Sequence, residues 1–254
     1  MQKEEFISTG IEKLDKLLEG GTPKGYTVLI LGTSGSSIEI LSKQIATEGK
    51  TLFFTTDETE EEIKNTMQRF GWIKNNIEIV DIASKYFKSL LNEEQIRSNI
   101  SKQRSKSKLK ELIEISSSNK PPEININEDF LSTLSDKIKT ASEQKIIINS
   151  LDFFLEQYPE EEVISTIHAA KISNIQNKSV LYIIMTRGVH GDIFERRMEN
   201  LADCVLELEV IKKGSTFERF LAVKKMKNYA KKIGIAHYGI DTDGFVIDMI
   251  ERIM

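Results

Sequence analysis

The stretch "VLILGTSGSSIEILSKQIA", Val28 to Ala46, constrains this chain more than any other. Four apolar residues run into a Gly- and Ser-rich turn, and an amphipathic pattern follows. A strand, a tight turn and a helix N-terminus form the outline of a phosphate-binding loop. Such a loop reads G-x-x-x-x-G-K-[ST]. Its backbone N–H groups cradle the phosphates, its Lys reaches the β- and γ-phosphates, and its Ser or Thr hydroxyl holds Mg²⁺. Here Gly32 stands at the first Gly, and Thr33, Ser34, Gly35 and Ser36 fill the variable positions. Ser37 replaces the second Gly, Ile38 the Lys and Glu39 the Ser or Thr. Every position that supplies side-chain chemistry has changed. One charge-assisted hydrogen bond contributes about 1.5–3 kcal/mol, so losing the Lys alone lowers affinity about tenfold to a hundredfold. Glu39 also sets a negative charge where phosphate would lie, although a carboxylate can ligate Mg²⁺ instead. By motif alone, the segment reads as a Gly/Ser turn between a strand and a helix.

The remaining chain alternates in the same way. Short apolar runs predict strands over Tyr26–Leu31, Thr51–Thr55, Ile77–Ile82, Lys145–Asn149 and Val180–Thr186. Helical patterns fall over Glu39–Glu48, Glu58–Phe70, Asp129–Ser142 and Glu160–Asn177. Continuous runs such as "KIIIN" and "VLYIIM" are expected where both faces of a parallel sheet are covered. After Asp203 the runs "DCVLELEVI", "ERFLAVKKM", "AHYGI" and "GFVIDMI" are separated by turn signals, which predicts an antiparallel extension. The expected fold is α/β: a mostly parallel sheet flanked by helices, with antiparallel C-terminal strands, in one domain spanning residues 1–254.

Composition narrows the function. With 254 residues, a net charge of −4 and 39% hydrophobic residues, the chain presents no global field for nucleic acid or an anionic membrane. A single Cys excludes an internal disulfide and fits a reducing compartment. No apolar run approaches the roughly 18 residues of a membrane span. The N-terminus "MQKEEFISTG" lacks the pattern of a secretory leader, so a soluble cytoplasmic protein is expected. His168, His190 and His237 lie far apart and Cys204 sits inside an apolar run, so no metal site is expected. Phe153, Phe154 and Tyr158 are expected to pack against the sheet or a neighbouring subunit. A basic segment, residues 97–122, carries Arg97, Lys102, Arg104, Lys106, Lys108 and Lys110 before "SSSNKPP". Helical spacing distributes that charge all round, which reads as a solvated arm or insertion rather than a binding stripe. The alternatives are contact with an acidic partner and, less favoured for want of stacking aromatics, nucleic acid.

The flanks of the loop carry a resemblance. "STGIEKLDKLLEGGTPKGYTVLILGTSGS", "TLFFTTDETEEEIKNTMQRFGW", "RFLAVKKMKN" and "GIAHYGIDTDGFVI" resemble KaiC-like ATPases of the RecA superfamily. The matching pattern is T-G-I-x-x-L-D-x-L-L-x-G-G-x-P-x-G before the loop, and the similarity covers most of the chain outside residues 97–122. It implies a RecA-like P-loop fold. It implies that Asp57 and Glu58 occupy the acidic pair that activates water, although acids also favour a helix N-terminus. It places Asn149 at the Mg²⁺-linked Asp and Thr186 at the γ-phosphate sensor. It places Lys225 and Lys227 at a K-x-R pair that reaches a neighbouring subunit's nucleotide, with Lys in place of Arg at the second position.

Lys, Ser/Thr and Asp are thus replaced together at Ile38, Glu39 and Asn149. Phosphoryl transfer depends almost wholly on positioning and electrostatics. The expectation is a pseudo-ATPase without a bound cofactor, a regulatory or scaffold protein in signalling, assembled as a homo-oligomer or with an active relative. The alternative is a weakly hydrolysing ATPase in which Glu39 holds Mg²⁺ with ATP and a neighbour's Lys225 and Lys227 supply the lost charge. An anion resting on the N–H groups of Ser34–Ser37 also stays open.

Overall fold

The computed structural model describes residues 5–72, 76–106, 129–229 and 234–252. Its centre is β3 (Thr27–Gly32), six residues all buried. It pairs in parallel with β7 (Val180–Thr186) on one side and β8 (Cys204–Lys213) on the other. Beyond β7 the parallel series continues through β6 (Lys145–Asn149), β4 (Thr51–Thr55) and β5 (Ile77–Asp81). Beyond β8 the sheet turns antiparallel through β9 (Thr216–Met226), β10 (Gly234–Asp241) and β11 (Gly244–Arg252). The nine strands run in the order β11-β10-β9-β8-β3-β7-β6-β4-β5. A separate antiparallel pair joins β1 (Phe6–Ile7) to β2 (Thr22–Pro23). The expected α/β architecture is therefore present, and so are the antiparallel strands at its C-terminal end.

Period-two alternation splits the core between the two faces of the sheet. Leu29 and Leu31 join Phe54, Ile148, Ile183 and Met185 on one face, under α5 (Phe130–Thr140), α6 (Asp152–Gln157), α7 (Glu160–Gln176) and α8 (Asp192–Leu201). Val28 and Ile30 join Phe53, Ile147, Tyr182 and Ile184 on the other, under α1 (Glu12–Leu17), α2 (Ile38–Ala46) and α3 (Glu60–Arg69). Covering on both sides is why these strands read as unbroken apolar runs. Phe153 and Phe154 are buried in the first cluster, and Tyr158 packs against it. Its hydroxyl accepts the Phe130 N–H at 2.9 Å, at the start of α5.

Local chemistry sets the ends. The "STG" before α1 is anchored by Asp15, whose carboxylate accepts the Thr9 N–H at 2.8 Å and the Thr9 and Ser8 hydroxyls at 2.6 Å. Gly10, at φ +81°, leaves no room for a side chain, since a Cβ there would lie 2.7 Å from the Glu48 Cβ. Helix α3 begins at Glu60, two residues later than the sequence pattern suggests. Thr59 and Glu62 form a reciprocal capping box, with the Glu62 N–H donating to Thr59 Oγ1 at 3.2 Å and the Thr59 N–H to Glu62 Oε2 at 2.8 Å. Asp57 and Glu58 therefore stay outside the helix. Helix α4 (Ile82–Lys106) carries the chain into the basic segment, and residues 107–128, with Lys108 and Lys110, lie outside the described residues.

The C-terminal hairpin is fastened to α2. Gln44 Oε1 accepts the Phe245 N–H at 2.7 Å, and Trp72 Nε1 donates to the Asp243 carbonyl at 3.0 Å. Among the described residues no helix is long and apolar enough to cross a membrane. Cys204 opens β8 in the core, 1% exposed, and burial pushes its thiol up to about 12. An inert core thiol is what the sequence suggests. We expect a thiol-specific reagent to leave the native protein unlabelled at neutral pH and to modify one site per chain only in denaturant. Stoichiometric labelling of the native protein would show that this strand opens.

Candidate functional site

The C-terminal ends of β3, β4, β6 and β7 lie side by side, as the parallel registers require. Ligand clefts of open α/β sheets form along this edge. Here it gathers Gly32 to Glu39, Asp57 and Glu58, Asn149, and Thr186. The resemblance indicated these residues, and the sheet brings them together.

The loop itself is occupied by its own side chains. A Cβ at Gly32 would fall 2.5 Å from Ser36 Oγ and 2.8 Å from Ile38 Cδ1, so both side chains press onto the Gly32 backbone. Ser36 is 1% exposed, and its Oγ finds no hydrogen-bond partner among the described residues. Ile38 packs half-buried against the core cluster under α1 to α3. Ser37 takes the left-handed conformation, φ 58° and ψ 35°, where the motif has its second Gly. The Ser36 N–H donates to the Thr33 carbonyl at 3.0 Å, so it is turned away from any anion over Ser34–Ser37. The Ser36 carbonyl accepts the Tyr238 hydroxyl at 2.7 Å. Burial holds that phenol above its ordinary range, so it stays protonated and donates. Thr33 is tied to β8, its N–H to the Leu208 carbonyl at 3.0 Å and its Oγ1 to the Val210 N–H at 3.2 Å. Ser34, Gly35 and Glu39 face solvent. These residues do not fit a triphosphate with its metal ion. The Lys position is an aliphatic side chain packed inward, and the Ser/Thr position is an exposed carboxylate.

The acidic pair follows β4. Asp57 reaches solvent, yet the partial desolvation of its carboxyl, and after it the charges of Asp152, Glu58 and Glu156, push it above its ordinary value; a hydrogen bond from Thr56 works against them. Glu58 is bound quite differently. Lys43 of α2, its side chain 2% exposed, donates to Glu58 Oε1 at 2.7 Å and lies 2.5 Å from Oε2. One residue earlier on α2, the Ser42 hydroxyl donates to Asn149 Oδ1 at 2.9 Å. Asn149 is thus satisfied as a neutral partner and needs no cation. The Thr186 N–H donates to the Asp152 carboxylate at 3.0 Å, and His190 Nε2 lies 2.8 Å from the same carboxylate.

Lys225 and Lys227 stand at the other end of the sheet. Met226 pairs with Cys204 at the start of β8, whereas the loop leaves β3 at Gly32, opposite Leu208. Lys225 donates to the carbonyls of Glu199, Asn200 and Ala202 at 2.8, 3.1 and 2.7 Å, capping the C-terminus of α8. Lys227 lies 3.5 Å from Asp203 and is largely exposed. Sequence reasoning missed Lys43, Tyr238 and Asp152. A lone Lys in an amphipathic helix carries no sign of burial, and Tyr238 is 202 residues from its partner. Asp152, three residues after Asn149 at the end of an apolar run, was the one recoverable from position.

A raised carboxyl pKa has a definite linkage sign. The folded state holds the Asp57 proton more tightly, so stability falls as pH rises above the ordinary value of 3.8 and the penalty is complete above the folded value. Asp57→Asn is expected to stabilise the protein at neutral pH by about 0.5 kcal/mol, kept small by solvent screening. The gain should vanish below pH ~3.8 in urea denaturation, and a pH-independent change would refute this origin.

Comparison with known proteins agrees with the fold. The family model described as "ATPase: KaiC" matches residues 7–252. The circadian clock protein KaiC3 of Synechocystis sp. is 37% identical over 73 residues, 27% of this chain and 14% of that protein. The UPF0273 protein MK0039 of Methanopyrus kandleri is 33% identical over 73 residues, 27% of this chain and 29% of that protein. The aligned stretch thus spans less than a third of either curated relative. The crystal structure of the KaiC-like protein PH0186 from Pyrococcus horikoshii OT3 superposes with a TM-score of 0.68 at 18% identity, covering 97% of this chain and 100% of that one. With the family model spanning nearly the whole sequence and a RecA-like sheet beneath it, this chain belongs to the KaiC ATPase family.

Proposed function

We propose that this KaiC-family chain is a pseudo-ATPase, retaining the fold as a regulatory or scaffold protein. The observation that carries the reading is the filled loop, with Ser36 Oγ and Ile38 Cδ1 pressed onto Gly32 where phosphate oxygens would need room. Three further features support it. No cationic side chain stands at the Lys position, a neutral Asn149 bound to the Ser42 hydroxyl stands at the Asp position, and Lys225 caps its own α8. The acidic pair that the family uses remains at Asp57 and Glu58, but phosphoryl transfer without positioned phosphates has nothing to act on. Family members generally oligomerise. A member that does not turn over would serve in signalling as a fixed subunit, beside copies of itself or an active relative.

One observation favours weak nucleotide binding as the second reading. Glu39 is exposed at the first turn of α2, placed to offer a carboxylate to Mg²⁺ from the solvent side. Calorimetry with Mg²⁺-ATP separates the two readings. The wild type is expected to remain silent to millimolar ATP, whereas Ile38→Lys, Glu39→Thr binds in the micromolar range. Micromolar binding by the wild type would overturn the pseudo-ATPase reading. A double variant that also stays silent would show that the loop is disabled by more than these two side chains.

A further inference from the structure

The ion pair between Lys43 and Glu58 has no part in the loop, yet it holds one of the two acids that the resemblance assigns to water activation. Lys43 lies on α2 between Ser42, which is bound to Asn149, and Gln44, which is bound to Phe245, so its stem is fixed by neighbours on both sides. Its side chain is 2% exposed, and an ammonium so deeply buried must be paired. Both Glu58 oxygens lie against it, at 2.7 and 2.5 Å. The backbone around Glu58 is held as well. The Thr55 hydroxyl donates to the Glu58 carbonyl, and the capping box begins at the next residue, Thr59. Glu58 is therefore fixed in place from both its side chain and its backbone. Its side chain keeps 29% exposure, although Oε2 itself is buried.

We propose that Lys43 is a positioning residue that locks Glu58 out of general-base service, a second disabling feature independent of the filled loop. The inference rests on the pseudo-ATPase reading, because it assigns Glu58 to the water-activating pair. In hydrolysis the base takes a proton from water. The water oxygen bonds to the γ-phosphorus, and the bond to the β–γ bridging oxygen breaks, releasing ADP. A carboxylate held with both oxygens against a buried ammonium can turn to a water only by breaking that pair, which would leave the ammonium without its partner. General-base assistance is worth about a hundredfold to ten-thousandfold in rate. Repair of the loop is thus expected to restore binding without the share of turnover that Glu58 would supply.

The test compares Ile38→Lys, Glu39→Thr with the same protein carrying Lys43→Met or Lys43→Arg. ATP binding is followed by calorimetry and single-turnover hydrolysis by ADP release. The lock predicts equal affinity in all three, turnover at least tenfold faster with Lys43→Met, and no gain with Lys43→Arg, which keeps the pair. Equal affinity with no gain in turnover from Lys43→Met, or an equal gain from Lys43→Arg, would overturn it. A nucleotide-free readout stands beside this one. Carbodiimide treatment of the wild type is expected to join the Lys43 amine to the Glu58 carboxyl carbon, the displaced oxygen leaving in the urea. Mass spectrometry should find that cross-linked peptide lighter by one water, and Glu58 found carrying the carbodiimide adduct without the cross-link would overturn the lock. If the loop-repaired protein fails to bind ATP while the cross-link forms, the loop is disabled by more than Ile38 and Glu39, and the Lys43–Glu58 pair stands.

Discussion

Strand β3 has no exposed residue and is hydrogen-bonded in parallel on both sides, and the remaining architecture follows from burying it. A strand with two apolar faces needs helices on each face, which requires crossover connections and sets neighbouring strands parallel. Parallel strands all end at one edge of the sheet. The loop after β3, the acids after β4, Asn149 on β6 and Thr186 on β7 therefore meet without further design. The antiparallel strands serve a different end. They bring Tyr238 to the Ser36 carbonyl and the β10–β11 turn onto Trp72 and Gln44, so the loop is held from the C-terminal side of the chain as well.

At this edge several polar groups are answered by protein. Lys43 answers Glu58, Ser42 answers Asn149, the Thr186 N–H answers Asp152, and Thr33 answers the Ser36 N–H. A site arranged for a polyanion and a divalent ion would leave such groups convergent and unpaired until the ligand arrives. Ser36 Oγ departs from this rule, and it is pressed against Gly32 rather than directed outward. Lysines are used in the same manner. Lys145 donates to the Ile45 carbonyl at 2.6 Å near the end of α2, and Lys171 and Lys225 meet the end of α8. At both helix ends cations satisfy the final carbonyls and the dipole.

Much of this was legible in the sequence. Strands β4, β6 and β7 begin and end where their apolar runs do, because a buried parallel strand has no polar positions to blur its limits. The loop substitutions at Ile38 and Glu39, and the meeting of the loop with Asp57, Asn149 and Thr186, followed from pattern and resemblance. Short helices α1 and α6, six residues each, escaped because they hold too few turns to show a period. Lys43 escaped for another reason. Its burial depends on a carboxylate 15 residues away, across a strand and a turn, and no local pattern encodes that. Lys225 was read from its motif as facing a neighbouring subunit; within this chain it is held by three carbonyls of a helix whose end the sequence did not mark.

The central claim is that the loop between β3 and α2 has no room for phosphate. Amide ¹H–¹⁵N signals of Ser34, Gly35, Ser37 and Ile38, followed during titration with Mg²⁺-ATP, test it most directly. These N–H groups would be the first to meet a phosphate oxygen, whatever side chains help. The account predicts no saturable shift at these four residues up to millimolar ATP. Saturable downfield shifts confined to them would mean that Ser36 and Ile38 move aside and that the site is a working one.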